Sequence, residues 1–169
     1  SKELIDAAEA KGLGLASDIA LLWDTEYYSN AESSKEIIFA RRTASANTFE
    51  TYNFPVGYSS AQGGNCPTQD LVDAFECTDG KSIAESSLYD ATNPYANRDP
   101  RLTKTVALNG EKWPNDLADY NSEHPTIETY TGGYHSRTGN AAGKAYATTT
   151  GYYLKKFCNP NQILRARSG

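Results

Sequence analysis

The ten residues from Asn93 to Leu102, NPYANRDPRL, constrain the fold of this chain more than any other stretch. Each of its two prolines fixes its own φ and disfavours helix at the preceding residue. Asn and Asp beside proline favour tight turns through side-chain to backbone hydrogen bonds. Arg98 and Arg101 flank Asp99, so a guanidinium–carboxylate pair can form locally. The segment therefore predicts a rigid turn that is held by an ion pair.

The aliphatic content limits the core that such a turn could join. Leu, Ile, Val and Phe make up only 27 of the 169 residues, fewer than globular domains usually contain. The net charge of −5 is too small to favour disorder, and twelve Tyr and two Trp supply apolar surface instead. We expect a folded, loop-rich protein whose packing depends on aromatic rings, or part of a larger fold whose other part supplies core.

Composition and motifs disfavour several functions. The acidic balance argues against nucleic-acid binding, and an apolar run such as Ile19–Trp23 is far too short to span a membrane. No CxxC pair occurs among Cys66, Cys77 and Cys158, so one disulfide or three free thiols remain open. HExxH, GxSxG and phosphate-loop patterns are absent from the sequence. We expect a protein that is not an enzyme and has no metal or cofactor.

Periodicity gives the elements of the first third. Helical spacing of apolar residues marks Glu3–Lys11 and Leu15–Tyr28. The run Glu36–Ala40 predicts a short buried strand. Polar, aromatic and glycine-rich sequence over Thr43–Asn65 predicts a long loop, which is uncommon inside compact domains and usually functional or flexible.

The later elements are fewer. A helix is expected from Pro67-Thr68, with Leu71, Val72 and Phe75 inward, and it should end at the TDG turn that follows. Alternating residues over Leu102–Leu108 predict a strand that ends in a tight Asn-Gly turn. After a stretch almost free of aliphatics, Gly151–Phe157 regains strand character.

Four segments in a fixed order resemble the SusD/RagB family of surface nutrient-binding lipoproteins of Bacteroidetes. They are EIIF at Glu36–Phe39, PTQDLVDAFECTDG at Pro67–Gly80, NPYANRDPRL at Asn93–Leu102, and TGYYLKKF at Thr150–Phe157. NRDPRL is the most specific of these motifs, and the ordered set covers about three quarters of the chain.

The resemblance implies a mainly α fold with long irregular loops and short β hairpins. A tetratricopeptide-type helical scaffold would lie mostly outside this chain, which would be a central fragment or a truncated homologue. We expect one SusD-like region over 1–169, with scaffold helices and a short strand in 1–42 and a loop-rich ligand-side region in 43–169.

The function that the resemblance implies is capture without catalysis. Family members bind an oligosaccharide, starch-like or another glycan, at the bacterial cell surface and deliver it to a SusC-like TonB-dependent outer-membrane transporter. The full-length protein would be lipid-anchored in the outer membrane. Alternatives are a peptide ligand, or a structural or transporter-interaction segment without its own ligand site. A glycosidase using Asp116 and Asp119 is the least favoured reading.

Aromatic rings beside polar groups suit a sugar, because small-ligand sites combine apolar walls with a few polar contacts. Trp113 is a candidate exposed platform, and its alternative is a plug in the local core. Tyr52 and Tyr58 are weaker candidates. The full ligand-binding set is Trp113, Asn115, Asp116, Tyr120, Tyr130 and Tyr134.

A structural role is expected for Asn97, Arg98, Asp99, Pro100 and Arg101. Asp99 would accept hydrogen bonds from Arg98, Arg101 or nearby backbone and so fix the turn. If that pair is buried, Asp99→Ala should cost about 3 kcal/mol of stability.

Overall fold

The computed structural model describes residues 2–22, 35–39, 48–58, 60–113 and 123–158. Contacts divide the chain into two units, Ser1–Ala46 and Asn47–Gly169. The described elements are short helices with one small sheet, so the predicted mainly helical class with long irregular loops is confirmed. Within the described ranges, every helix is too short or too polar to cross a lipid bilayer.

The first unit begins with helix α1, Lys2–Glu9, as the apolar spacing predicted. Gly12, at a φ of +79°, turns the chain away from α1. Helices often end at a residue in the left-handed conformation, and glycine adopts that conformation most readily. The second predicted helix appears in the described part as a single 3₁₀ turn, Ile19–Leu22, and its continuation from Trp23 lies outside the described residues. Two hydrogen bonds hold the unit together. The Gly14 amide donates to the Lys35 carbonyl, and the Ala16 amide donates to the Glu36 carboxylate.

The buried strand predicted at Glu36–Ala40 is wrong in its described part. Lys35 and Glu36 form a helical turn, and Ile38 and Phe39 are 87% and 88% exposed. A short apolar run cannot distinguish a strand from other buried structure by periodicity alone, and here it is not buried within its own unit.

Three α-helices lie in the described part of the second unit: α2 at Thr48–Asn53, α3 at Gln69–Ala74 and α4 at Arg101–Thr105. The start of α3 is as predicted, because the Thr68 hydroxyl accepts a bond from the Leu71 amide at 3.3 Å. Val72 faces the core, whereas Leu71 is 44% exposed and not inward as expected. Gly80, at a φ of +74°, closes the predicted turn with a bond from its amide to Cys77 O.

The long loop predicted over Thr43–Asn65 is corrected by α2 and by the chain that follows it. Phe54, Val56 and Tyr58 are buried, although the surrounding sequence is polar. Tertiary packing overrides local propensity here, since a chain with few aliphatics must bury its aromatic residues wherever they fall.

The strand predicted over Leu102–Leu108 is half wrong. Its first part is helix α4, and only Val106–Ala107 forms strand β1. Leu102 and Val106 are four residues apart, so the alternation that predicted a strand equally fits one face of a helix. Strand β2, Tyr153–Leu154, pairs antiparallel with β1 in the register Val106↔Leu154 and Ala107↔Tyr153. The predicted turn follows, with Gly110 at a φ of +83°.

Two apolar clusters form the core in the described part of the second unit; β1 contributes to both, and β2 contributes to one of them. One is mainly aliphatic and packs α3 against α4 with Val72, Leu102, Val106, Leu108 and Tyr152. The other, the aromatic cluster, is built around four large rings and consists of Phe54, Val56, Tyr58, Ala61, Ala107, Trp113, Ile127, Ala141, Ala147, Tyr153 and Cys158. Aromatic rings therefore supply the core that the aliphatic content could not.

The three cysteines are free thiols. Cys77 and Cys158 are buried, and burial raises the pKa of the Cys158 thiol to about 12, so this thiol is protonated. Of the two possibilities left open by the sequence, three free thiols is the one observed.

Candidate functional site

Trp113 lies in the aromatic cluster with 2% of its surface exposed. Its ring meets Phe54 edge-on at 5.2 Å between centroids and lies 6.1 Å from Tyr58. Its buried Nε1 has no hydrogen-bond partner among the described residues. The exposed platform predicted at Trp113 is corrected, because the ring presents no free face and instead fills the core as the alternative proposed.

The other predicted ligand residues differ in their exposure, and three of them lie outside the described residues. Tyr130 is 58% exposed at a tight turn, where its carbonyl accepts a bond from Gly133. Tyr134 is half-buried, because its ring stacks on His124 at 3.9 Å and packs against the backbone of Gly57. Asn115, Asp116 and Tyr120 lie outside the described residues.

Glu128 organises the segment from 123 to 141. Its carboxylate accepts the Tyr134 amide at 3.0 Å and lies 3.1 Å from His124 Nδ1. Burial alone would raise the pKa of this carboxyl, but the Tyr134 amide and His124 outweigh burial and lower that pKa overall. The sequence suggested no such role for Glu128, because its partners come together only through the loop.

His135 is buried and is fixed through three atoms. Its amide bonds Glu128 O, its Nδ1 accepts the Glu128 amide at 3.1 Å, and its carbonyl accepts the Tyr153 hydroxyl at 2.7 Å. An accepting Nδ1 requires the neutral ring, with its proton on Nε2. Burial lowers the pKa of His135 to about 4, a change that nearby Glu128 opposes and His124 reinforces.

A groove of about 500 Å³ opens beside Gly57, against which the Tyr134 ring packs. Its most prominent ring is Tyr146, which is 64% exposed in the 3₁₀ turn Lys144–Tyr146. The described residues that line it are Gly57, Tyr58, Ser60, Ala61, Gln62, Ala142, Gly143 and Tyr146. We call it the Tyr146 groove. Sequence reasoning missed Tyr146, although its glycine- and threonine-rich surroundings are the signal that selected Tyr130.

A second groove of about 400 Å³ lies along α2. Its described lining is Thr48, Phe49, Tyr52, Asn53 and Asn65, and we call it the Tyr52 groove. Tyr52 is 55% exposed, whereas Tyr58, the other weaker candidate, is 6% exposed.

A third groove of about 340 Å³ differs in charge, because Glu76 and Arg101 line it together with Leu71, Ala74 and Phe75. It lies beside the NPYANRDPRL segment, so the conformation of that segment shapes its wall.

Arg98 is the buried charged residue of that segment, and its hydrogen-bond partners are backbone carbonyls. Its guanidinium donates to Pro94 O at 3.0 Å, Val72 O at 2.6 Å and Phe75 O at 2.7 Å. The last two carbonyls lie at the end of α3, where helices leave carbonyls without partners. Arg98 therefore ties the turn to the end of α3.

Asp99 pairs instead with Arg101, through the Arg101 amide at 2.8 Å and the Nε at 2.8 Å. These bonds lower the pKa of the Asp99 carboxyl. Arg101 has 57% of its side chain exposed, so the pair is not buried. The expected loss of about 3 kcal/mol for Asp99→Ala is therefore too large, because an exposed pair is screened by water.

The remaining residues of the motif shape the backbone. Asn97 adopts a φ of +56°, bonds Leu88 O through its side chain, and accepts the Thr78 amide at its own carbonyl. Pro100 directly precedes α4, and its carbonyl accepts the Thr103 hydroxyl at 3.2 Å. Proline suits this place because its fixed φ is compatible with helix initiation.

Comparison with known proteins decides the family. The model of the SusD family matches residues 22–168, most of the chain. The chain belongs to the SusD family. A SusD-like protein from Bacteroides fragilis, solved as a crystal structure, shares its fold with a TM-score of 0.61 at 22% identity. The match covers 99% of this SusD-family chain but 35% of that protein, and no curated protein matches significantly.

Proposed function

We propose that this SusD-family chain contributes to the non-catalytic binding of an oligosaccharide at the bacterial cell surface. The full-length protein would be lipid-anchored in the outer membrane and would deliver the sugar to a SusC-like TonB-dependent transporter. The observation that carries the proposal is the Tyr146 groove, where a ring that is 64% exposed stands beside hydroxyl and amide side chains.

The chemistry of this groove suits a sugar. A tyrosine ring offers an apolar face to the C–H groups of a sugar, and its hydroxyl remains able to hydrogen-bond. Gln62 and Ser60 line the same groove, and the Gln62 side chain makes no hydrogen bond to the described residues. A ligand hydroxyl could therefore bond to the Gln62 amide without breaking an internal contact.

The histidines support binding over catalysis. His135 is buried and its Nδ1 is occupied by a backbone amide, so it has no free lone pair for a substrate. His124 is held by Glu128 and stacked on Tyr134. Both rings serve the fold of the 123–141 segment.

We propose a second contact surface at Tyr130, with Asn115, Asp116 and Tyr120 as further candidates. Tyr130 has the exposure that a platform needs. Tyr134 supports the Tyr146 groove from behind, because its ring packs on Gly57, which lines that groove. Trp113 supports it indirectly through Tyr58.

The first test is a screen of the full-length protein on a glycan array, followed by calorimetry with the best oligosaccharide. Tyr146→Ala should weaken binding at least tenfold, because a tenfold change corresponds to about 1.4 kcal/mol and a hot-spot aromatic contact contributes about 2 kcal/mol or more. Tyr130→Ala tests the second surface in the same way.

Leu71→Ala is the matched control, since Leu71 is partly exposed and lines only the third groove. Wild-type protein that binds no glycan on the array would contradict the proposal. Peptide binding that is lost in Leu71→Ala would favour the peptide alternative, for which a groove with Glu76 and Arg101 offers charged contacts.

A further inference from the structure

The Tyr146 groove and the Tyr52 groove share one wall. We infer that they form two subsites for a single neutral, linear oligosaccharide that crosses this wall. The inference rests on the proposed function and adds to it the charge class and the minimum extent of the ligand.

The shared wall is the segment from Gln62 to Asn65. Gln62 lines the first groove and Asn65 lines the second. Three residues apart, their Cα atoms are separated by at most about 11 Å, the reach of a fully extended chain. One side-chain amide therefore serves each groove within the length of a short ligand.

Both exposed tyrosines flank this wall. The carbonyl of Tyr52 accepts the Gly64 amide, and the amide of Gly63 bonds Phe54 O at 3.0 Å. On its Cβ side Gly63 faces the buried Tyr153 ring and the backbone of Tyr146, because a Cβ there would lie 2.7 Å from Tyr153 Cε1 and 3.0 Å from Tyr146 O. Gly64 is exposed and has no side chain, so the wall is low between the two rings.

The Tyr52 groove is built around a fixed amide. Asn53 is 2% exposed, and its Nδ2 donates to Phe49 O at 2.8 Å. Its Oδ1 accepts from Asn65 twice, from Nδ2 at 2.6 Å and from the backbone amide at 3.2 Å. Asn65 is thereby oriented before a ligand arrives, and its own Oδ1 has no donor among the described residues. Preorganised polar groups lose little entropy on binding.

The lining of both grooves is uncharged. None of the described residues that line them is Asp, Glu, Lys or Arg, although 22% of the chain is charged. Lys156 lies over the ring of Phe157, which contacts Phe49, and neither Lys156 nor Lys144 is among the described lining residues. A uronate or sulfate would lose its hydration here without gaining a cationic partner, so a neutral sugar is favoured.

The test measures affinity against chain length. Full-length protein is titrated with neutral oligosaccharides, from disaccharide to octasaccharide, and with uronate-containing and sulfated oligosaccharides of the same lengths. Affinity for the neutral series should rise with length until both subsites are filled, because the second contact then forms within one complex.

Two variants separate the subsites. Tyr146→Ala should weaken binding at every length. Tyr52→Ala should leave the shortest ligand unaffected and weaken the longer ones by about tenfold, which removes the gain with length. Tyr52 is more than half exposed, so its truncation leaves the core intact, and an unchanged thermal midpoint checks this.

The outcomes distinguish the two proposals. Binding of no glycan at all contradicts the proposed function itself. Binding of neutral sugars with no dependence on length, or an equal effect of Tyr52→Ala at every length, overturns the two-subsite inference alone. A preference for uronate or sulfated sugars overturns its neutrality while the binding function stands.

Discussion

The buried imidazole of His135 makes the stability of the second unit depend on pH. In the folded protein its pKa is about 4, whereas an unfolded chain has the ordinary value near 6.5. Between these two values the unfolded state binds more protons, so stability rises with pH in this window and falls as the solution is acidified. Glu128, whose pKa is lowered on folding, adds a further loss at lower pH.

We predict that the free energy of unfolding falls by about 2 kcal/mol between pH 7 and pH 5 because of His135. Denaturant unfolding across this range measures the change. His135→Asn keeps an acceptor near the position of Nδ1 and cannot be protonated, so its profile should be flatter. His124→Gln is the control, and a steep profile that persists in His135→Asn but disappears in His124→Gln would reverse the assignment.

Residue types were predicted better than residue positions. The sequence indicated that aromatic rings must build the core, and Trp113 and Tyr153 do so. It could not indicate which rings remain exposed, because Tyr146 and Tyr58 have similar polar neighbours in sequence and differ only in tertiary packing. For the same reason we predicted that Asp99 belongs to a buried pair. The structure buries Arg98 instead.

Among the elements, α3 depends on a residue far from it in sequence. The Arg98 guanidinium donates to two carbonyls at the end of α3. Its central carbon lies 5.8 Å from the centre of the Tyr89 ring. Removal of the guanidinium leaves these buried acceptors without their charged donor, which is more costly than the loss of an exposed ion pair.

We predict that Arg98→Met lowers the free energy of unfolding by about 3 kcal/mol, because several buried hydrogen bonds to a charged group are lost together. Urea unfolding of the variants measures this loss. Arg101→Met is the matched control from the same turn, and it should cost clearly less because Arg101 is exposed. An equal or larger loss in the control would show that the exposed pair, rather than Arg98, stabilises the turn.

Elements were predictable where local chemistry decides them. The Thr68 cap and the Gly80 and Gly110 turns follow from side-chain and φ preferences that belong to single residues. Helix α2 and the helical half of Leu102–Leu108 could not be predicted, since both depend on what the chain packs against. Five or six residues give too little periodicity to separate helix from strand.

At the scale of the whole molecule, the described part of the first unit exposes several large apolar side chains. Leu4, Leu15, Ile38 and Phe39 are each at least 77% exposed. Apolar side chains that together form one contiguous exposed patch mark an interaction surface. The chain spans about a third of the length of its structural relative. We therefore propose two candidates to cover these side chains, which are further parts of a SusD-type fold and the transporter proposed above.

We predict that Phe39→Ser in the full-length protein lowers the free energy of unfolding by about 2 kcal/mol, the contribution of one buried aromatic side chain. Leu88→Ser is the control, because Leu88 is partly exposed in the second unit. Guanidinium unfolding measures both. Unchanged stability with loss of co-purification of the transporter would assign the surface to the transporter instead.

The family was predictable from the order of four motifs even though two of them were given the wrong local structure. EIIF is not a buried strand in its described part, and Asp99 is not the centre of a buried pair. Motif order reports common ancestry, whereas local structure reports packing, and packing depends on residues distant in sequence.

Arg98 gives the NPYANRDPRL turn a property that a carboxylate partner could not. Peptide carbonyls take up no proton in the range where carboxylates and imidazoles titrate, so the bonds from Arg98 to Val72 O and Phe75 O persist in acid. We therefore expect acidification to weaken the second unit around His135 first and to leave the hydrogen bonds from Arg98 to the end of α3 in place.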